Sequence, residues 1–230
     1  ESIWGLLIVL FIAMVIVSQF MLTFGSDPNA KITKKSKSPL SFHPIALIFG
    51  LLSFVSYLVE GAVGDWSALY LFEDKGIVIE EAVMGVMLFN GTMCIGRLLG
   101  NRLGKHLTSK QVVVGGYLLG SIAMGLIVFL PGHASMYTYL LLGISLAMIV
   151  PNLFSAMGEQ NVIPMTQAVA TSTMLGYMGI LMGPALIGFI AHGTSLTVAF
   201  IVLTTLLVVS AGIGKYAYHL MSKDCGLSEE

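Results

Sequence analysis

Seven apolar runs, each near the length that spans a lipid bilayer, fill most of this chain: 3–24, 43–72, 82–99, 112–130, 134–157, 162–191 and 196–213. A crossing takes about 20 residues as a helix. Lipid offers no water to pair an exposed backbone N–H or C=O, so runs of this length with short connections must be helices. Charge usage agrees: charged residues are 10% of the chain and hydrophobic types 56%, where a soluble domain carries about a quarter charged residues. Such a chain could not cover its surface in water. Soluble enzymes, disordered chains, coiled coils and secreted disulfide scaffolds are excluded. The expected fold class is all-α, a polytopic membrane bundle of seven transmembrane helices.

The chain starts at Glu1 rather than Met, and the first run begins two residues later. A piece of a longer protein is the expectation. A signal peptide is not, because no basic segment precedes the run and no cleavage site follows it. Cys94 lies in an apolar run and Cys225 in the polar tail, so no disulfide framework is expected. His43, His106, His133, His192 and His219 stand far apart at helix ends, without metal-ligand spacing. No metal and no cofactor is expected.

The basic residues set the orientation. Lys31, Lys34, Lys35 and Lys37 lie between the first two runs, Arg97, Arg102, Lys105 and Lys110 around the third connection, and Lys215 and Lys223 in the tail. If the spans alternate, all of these share one side. The opposite side has only Lys75, among Glu73, Asp74, Glu80 and Glu81. The positive-inside rule then puts the C-terminus in the cytoplasm and the N-terminus outside. Seven helices in this orientation also describe a receptor or a retinal protein. No lysine lies mid-membrane to hold retinal, and the long loops of a receptor are missing. The longest connection, after the first run, suggests one helix, a basic linker, then six helices.

Those six read as three plus three. Asp65-Trp66-Ser67-Ala68 aligns with Leu153-Phe154-Ser155-Ala156, and Gly96-Arg97-Leu98-Leu99 with Gly183-Pro184-Ala185-Leu186. Triplets that start on opposite sides and resemble each other weakly are what an inverted repeat in a secondary transporter leaves; chance matches between apolar helices are the alternative.

Only Glu60, Asp65 and Arg97 carry charge inside the apolar runs. A carboxylate at the bilayer centre costs about 2.5–3.5 kcal/mol on insertion scales and normally faces a bundle interior or a watery cavity. Ser53, Ser56, Glu60, Gly64 and Ser67 follow spacings of 3, 4, 4 and 3, which is one helix face. That face is either a wall of a transport cavity or a polar seam against another helix. Gly61 and Gly64 favour a bend before Asp65 and Trp66. Asp65, about 7.5 Å further outward at the helical rise, could cap a broken helix, gate the outer side or lie at the interface. The fifth run adds Ser145, Asn152, Ser155 and Glu159, with Pro151 freeing a carbonyl one turn earlier. Asn90 shares a face with Arg97, and Thr173 with Tyr177. Close glycines at 91, 96 and 100, and at 176, 179, 183 and 188, suit tight helix contact or sliding.

Gly96-Arg97-Leu98-Leu99-Gly100-Asn101-Arg102-Leu103-Gly104-Lys105 resembles the loop motif of the major facilitator superfamily in its second-half copy, with Asn101 where an Asp is usual. The string 60–70, Glu60-Gly61-Ala62-Val63-Gly64-Asp65-Trp66-Ser67-Ala68-Leu69-Tyr70, resembles the YbjJ-like branch of that superfamily. So do Val150-Pro151-Asn152-Leu153-Phe154-Ser155-Ala156 and the segments 175–177 and 183–189. The resemblance covers essentially the whole chain and extends, more distantly, to fucose-permease-like sugar:proton symporters. It implies that 1–25 is the last helix of an N-terminal half, 26–42 a cytoplasmic basic linker, 43–220 the C-terminal six-helix bundle and 221–230 a cytoplasmic tail. Five N-terminal helices would complete a twelve-helix transporter that rocks two bundles around a central site.

The function expected is secondary active transport of a small polar solute, such as a sugar or related metabolite, across a bacterial inner membrane. Protons are the expected partner in coupling; the bilayer and the missing helices are the structural partners, and no nucleic acid is expected. Glu60, Ser56, Ser53, Asp65, Asn90, Asn152 and Tyr177 are the candidate cavity or coupling residues. Glu60 would change protonation during the cycle. Arg97, Asn101, Arg102, Gly104, Lys105 and Glu159 are the candidate gate, with the arginines bonding helix-end carbonyls or Glu159. A non-transporting sensor, receptor or scaffold on the same fold is the alternative. Enzymatic activity is not expected, because no Ser/His pair, paired aspartates or nucleotide loop is present.

Overall fold

The computed structural model describes residues 11–12, 15–16, 40, 42–103, 107–160 and 162–224, with the side chains of 101–103 and 224 left aside. The first apolar run is therefore represented by four helical residues. The expected linker at 26–42 is almost wholly outside the described residues, as are Gly104, Lys105, Cys225 and the side chains of Asn101 and Arg102. The chain divides into two compact units, Glu1–Lys37 and Ser38–Glu230.

Seven helices make up the described part of the second unit: α1 (Pro44–Glu73), α2 (Ile79–Leu103), α3 (Ser109–Phe129), α4 (Gly132–Ala147), α5 (Ile149–Glu159), α6 (Met165–Gly193) and α7 (Leu196–Asp224). Six stretches are long and apolar enough to cross a membrane, because α4 and α5 together form one, Gly132–Glu159. Each agrees with an apolar run to within a few residues, except that α7 continues eleven residues past the run ending at 213.

Local chemistry sets the helix ends. His43 caps α1, its ring nitrogen accepting from the Ile45 N–H at 3.3 Å, with Pro44 in the first turn, where a missing N–H costs nothing. Thr108 and Gln111 form a capping box at the start of α3. Gly76, at φ 68°, makes the turn between α1 and α2, in a region that favours glycine. Gln160, buried at 4% exposure, organises the turn after α5: its amide donates to the carbonyls of Met157 and Ile163 and accepts from the N–H groups of Val162 and Ile163.

One sequence expectation about breaks is revised, the bend or break at Gly61 and Gly64. α1 runs without interruption through Gly61 and Gly64. The break comes instead at Met148, between α4 and α5. Pro151 has no N–H for the carbonyl of Ala147 and its ring crowds that carbonyl, so the helix parts one turn before the proline.

α1 is the hub. It packs along its length against α6, and also against α2 and α7. α2 pairs with α4, and α3 with α7 and α4. The core is built of large side chains: Phe49, Leu52, Tyr70, Phe89, Tyr117, Tyr139 and Phe200 are fully buried. Tyr70 stacks on Phe200 at 4.2 Å between centroids, and Phe49 meets Tyr218 edge-on at 5.5 Å. The most buried span is α1 and the least buried are α6 and α2. The two helices that flank the hub thus present faces that the bundle does not cover.

Candidate functional site

Glu60 and Arg97, two of the three charges inside the apolar runs, meet. Arg97 Nη2 lies 3.3 Å from Glu60 Oε2 and 3.5 Å from Oε1. Glu60 sits about 24 Å along α1 from Pro44 at the helical rise, so the pair forms at mid-span. Antiparallel α2 brings Arg97 to that depth. Pairing offsets the cost that either charge would carry alone inside an apolar run. The contact is slack: a charge-assisted N–H···O bond is ordinarily about 2.7–2.9 Å. One nitrogen serves both carboxylate oxygens, and the side chains remain 46% (Arg97) and 23% (Glu60) exposed.

Beside the pair, Tyr57 and Tyr177 stack across the α1–α6 seam, 6.3 Å between centroids and 5° from parallel. Tyr57 lies within the field of Glu60, Arg97 and Tyr177. Tyr177 is 62% exposed. An acid, a guanidinium and an open aromatic ring thus share one uncovered face.

The serine stripe is divided by packing. Ser56 and Tyr117 share a 2.8 Å hydrogen bond, and the Tyr117 hydroxyl donates to the Leu52 carbonyl at 2.7 Å. Ser53 is fully buried, near Gly176 of α6. Both belong to the seam between helices, the structural alternative left open by the spacing, while Glu60 and the exposed Gly64 and Asp65 look outward. Asn90 is exposed and turns its amide to the Val86 carbonyl at 3.0 Å. Asn152 donates to the Met148 carbonyl at 2.8 Å, holding the start of α5. It lines a cleft of about 330 Å³ with Ser145, Met148, Gln111 and Gly100, away from Glu60. Glu159 is exposed at the end of α5. Arg97 therefore bonds Glu60, where the gate reading offered helix-end carbonyls or an acid such as Glu159.

Sequence reasoning missed the pairing of Glu60 with Arg97, Tyr57 and the partner of Trp66. The Trp66 indole N–H donates to the Pro184 carbonyl at 3.0 Å, and its ring lies over Gly188. Glycines make the α1–α6 seam close: a Cβ at Gly179 would meet the Phe54 carbonyl, one at Gly183 the Leu58 carbonyl, and one at Gly61 the Ile180 carbonyl at 2.7 Å. Pro184 has no N–H for that Ile180 carbonyl.

The end carrying the acidic residues is tied by polar contacts. His133 Nε2 and Glu81 Oε2 are 2.7 Å apart, joining the starts of α4 and α2. Thr197 donates to Asp74 at 2.6 Å. Lys75 donates to the Val128 carbonyl at 2.6 Å and lies over the Tyr70 ring, a favourable seat for a cation at the C-terminus of α3. Burial lowers the Lys75 pKa, with the Asp74 charge opposing. Among the described residues no group of three or more metal-ligating side chains occurs.

No protein-family model matches the chain. An uncharacterised MFS-type transporter of Yersinia pestis is 41% identical over 168 residues, 72% of this chain and 43% of the relative. The membrane protein MosC of Rhizobium meliloti is 30% identical over 170 residues, 73% of this chain and 42% of the relative. The chain thus spans less than half the length of these relatives. Among solved structures, the fucose:proton symporter FucP of E. coli superposes with a TM-score of 0.66 at 16% identity, covering 75% of this chain and 42% of that one.

Proposed function

The chain is a homologue of transporters of the major facilitator type, and from that premise we propose that it is the second half of a secondary active transporter. It moves a small polar solute, such as a sugar or related metabolite, across the bacterial inner membrane by alternating access. The uncovered face of α1, α2 and α6 is one wall of the central cavity, and helices outside this chain supply the other. Residues 1–25 belong to the first bundle and 26–42 join the halves. The C-terminus is cytoplasmic, by the side on which the lysines and arginines gather.

The observation that carries the reading is the Glu60–Arg97 pair, at mid-span and open to the uncovered face. Intramembrane charges mark ion and substrate paths. We infer that protons drive transport and that Glu60 takes up and releases the coupling proton. The proton coupling of the FucP symporter is a precedent within the same fold. Asp65 and Asn90, exposed at other depths of α1 and α2, serve entry and exit of the solute.

The test is uptake by the complete protein in proteoliposomes with an imposed pH gradient. Glu60→Gln should leave solute exchange between preloaded vesicles intact and abolish accumulation against a gradient. Accumulation unchanged in Glu60→Gln would overturn the role of Glu60.

A further inference from the structure

We propose that the solute carries a carboxylate, which takes the place of Glu60 on Arg97, and that Glu60 must be protonated for the exchange. The proposal rests on the transport reading above and specifies its substrate class. Three observations lead to it.

First, Arg97 is under-used. A guanidinium has five N–H donors in a planar fork that matches a carboxylate edge to edge. Here Nη2 alone is engaged, by both oxygens of Glu60 at 3.3 and 3.5 Å. The Nε and Nη1 donors make no hydrogen bond among the described residues, and the side chain is nearly half exposed. A solute carboxylate approaching from the open face can make the two parallel bonds that Glu60 does not.

Second, the local charge must balance. Among the described residues, the charged group acting on Glu60 is Arg97 alone. The other titratable groups of the cluster are the phenols of Tyr57, on the same helix, and of Tyr177, on α6. The pair is neutral as it stands. A carboxylate arriving on Arg97 while Glu60 stayed ionised would leave one uncompensated negative charge at mid-span, the arrangement a membrane disfavours most. One proton from the aqueous side of entry, bound to a Glu60 oxygen, cancels it. The loaded site then holds Arg97⁺, the solute carboxylate and neutral Glu60. A monoanion and a proton cross together, and the step moves no net charge.

Third, the exposed Tyr177 ring, parallel to Tyr57, offers a flat apolar face beside the fork for the body of the solute.

The experiment uses the complete protein in detergent and in proteoliposomes, with D-glucuronate and D-glucose as probes alike in ring and differing in one carboxylate, and benzoate as a flat acid. Thermal unfolding reads binding. A pH dye inside potential-clamped vesicles reads proton movement. At least one acid should raise the unfolding temperature where glucose does not. Across the pH range in which Glu60 is ionised in the empty protein, its apparent affinity should tighten about tenfold per unit fall in pH, levelling off once Glu60 is protonated, since only protein with Glu60 protonated is competent. Glu60→Gln should bind that acid with a pH-independent affinity, and Arg97→Gln should not bind it. Uptake should acidify the vesicles and stay insensitive to membrane potential. Equal binding of glucose and glucuronate, binding of none of the three, or a pH-independent wild-type affinity would each overturn the proposal. If glucose is taken up with protons, the transport reading stands and the carboxylate is lost; if an acid binds but never crosses, the transport reading fails and the site stands. Should either variant fail to fold, the wild-type pH profile alone decides.

Discussion

At the scale of single residues, the molecule turns on how few charges enter the membrane. Glu60 and Arg97 lie 37 positions apart on antiparallel helices, and each answers the other's cost. Breaking a fully buried ion pair costs about 3–5 kcal/mol; with Arg97 46% exposed, the expected loss is on the order of 1 kcal/mol. Removing both charges should therefore cost less than removing one. In denaturant or thermal unfolding, Glu60→Gln/Arg97→Gln is expected to be more stable than either single variant; simple additivity would mean the pair is not coupled. The sequence made both residues conspicuous as intramembrane charges, yet spacing within a helix links only neighbours three or four apart. Their meeting depends on the register of α1 against α2, which hydropathy does not encode. The serines show the converse. Ser53 and Ser56 share a helical face with Glu60 by count, but Tyr117, a residue of α3, claims Ser56 for the seam.

At the scale of the helices, apolar length is readable, and interruption is readable at Pro151 but not at the glycines. Membrane-crossing runs appear as composition, so six of the expected spans are found nearly where they were read. A break is a matter of backbone hydrogen bonding. Gly61 and Gly64 favour a bend by spacing, but Gly61 serves close approach to Ile180, and the helix passes through both. Pro151 does break its helix, one turn upstream. α7 outlasts its apolar run because a helix can leave the membrane and continue in the polar layer. The glycines differ sharply in what they do. Gly179→Ala puts a methyl group against the Phe54 backbone, and overpacking of this kind costs about 1–3 kcal/mol. Gly212→Ala in α7 meets nothing within 4 Å and should gain roughly 0.5–1 kcal/mol from helix propensity. Paired melting measurements on these two variants test the seam; equal effects would mean that α1 and α6 are not closely packed there.

At the scale of the whole molecule, the bundle is asymmetric. α1 is wrapped by its neighbours, while α2 and α6 keep wide uncovered faces that bear Asn90, Arg97 and Tyr177. Nothing in composition distinguishes a face turned to lipid from one turned to a second bundle; only the polar residues on it do so. The two ends also differ, with Glu81, His133, Asp74 and Thr197 clasped at one and Lys110 and Lys215 at the other. With a membrane-impermeant maleimide on intact cells, a cysteine at position 133 should react and one at position 110 should not; the opposite pattern would invert the assigned orientation. The bond from Trp66 to Pro184 has a consequence of an optical kind. The tryptophans of this sequence are Trp4 and Trp66; in the complete protein, with Trp4 and every tryptophan outside this sequence replaced by Phe, Trp66 is the one indole left, and its N–H reports on α6 from its seat in α1. A shift in its emission when solute is added would report a change at the contact between the two helices, without any dye attached.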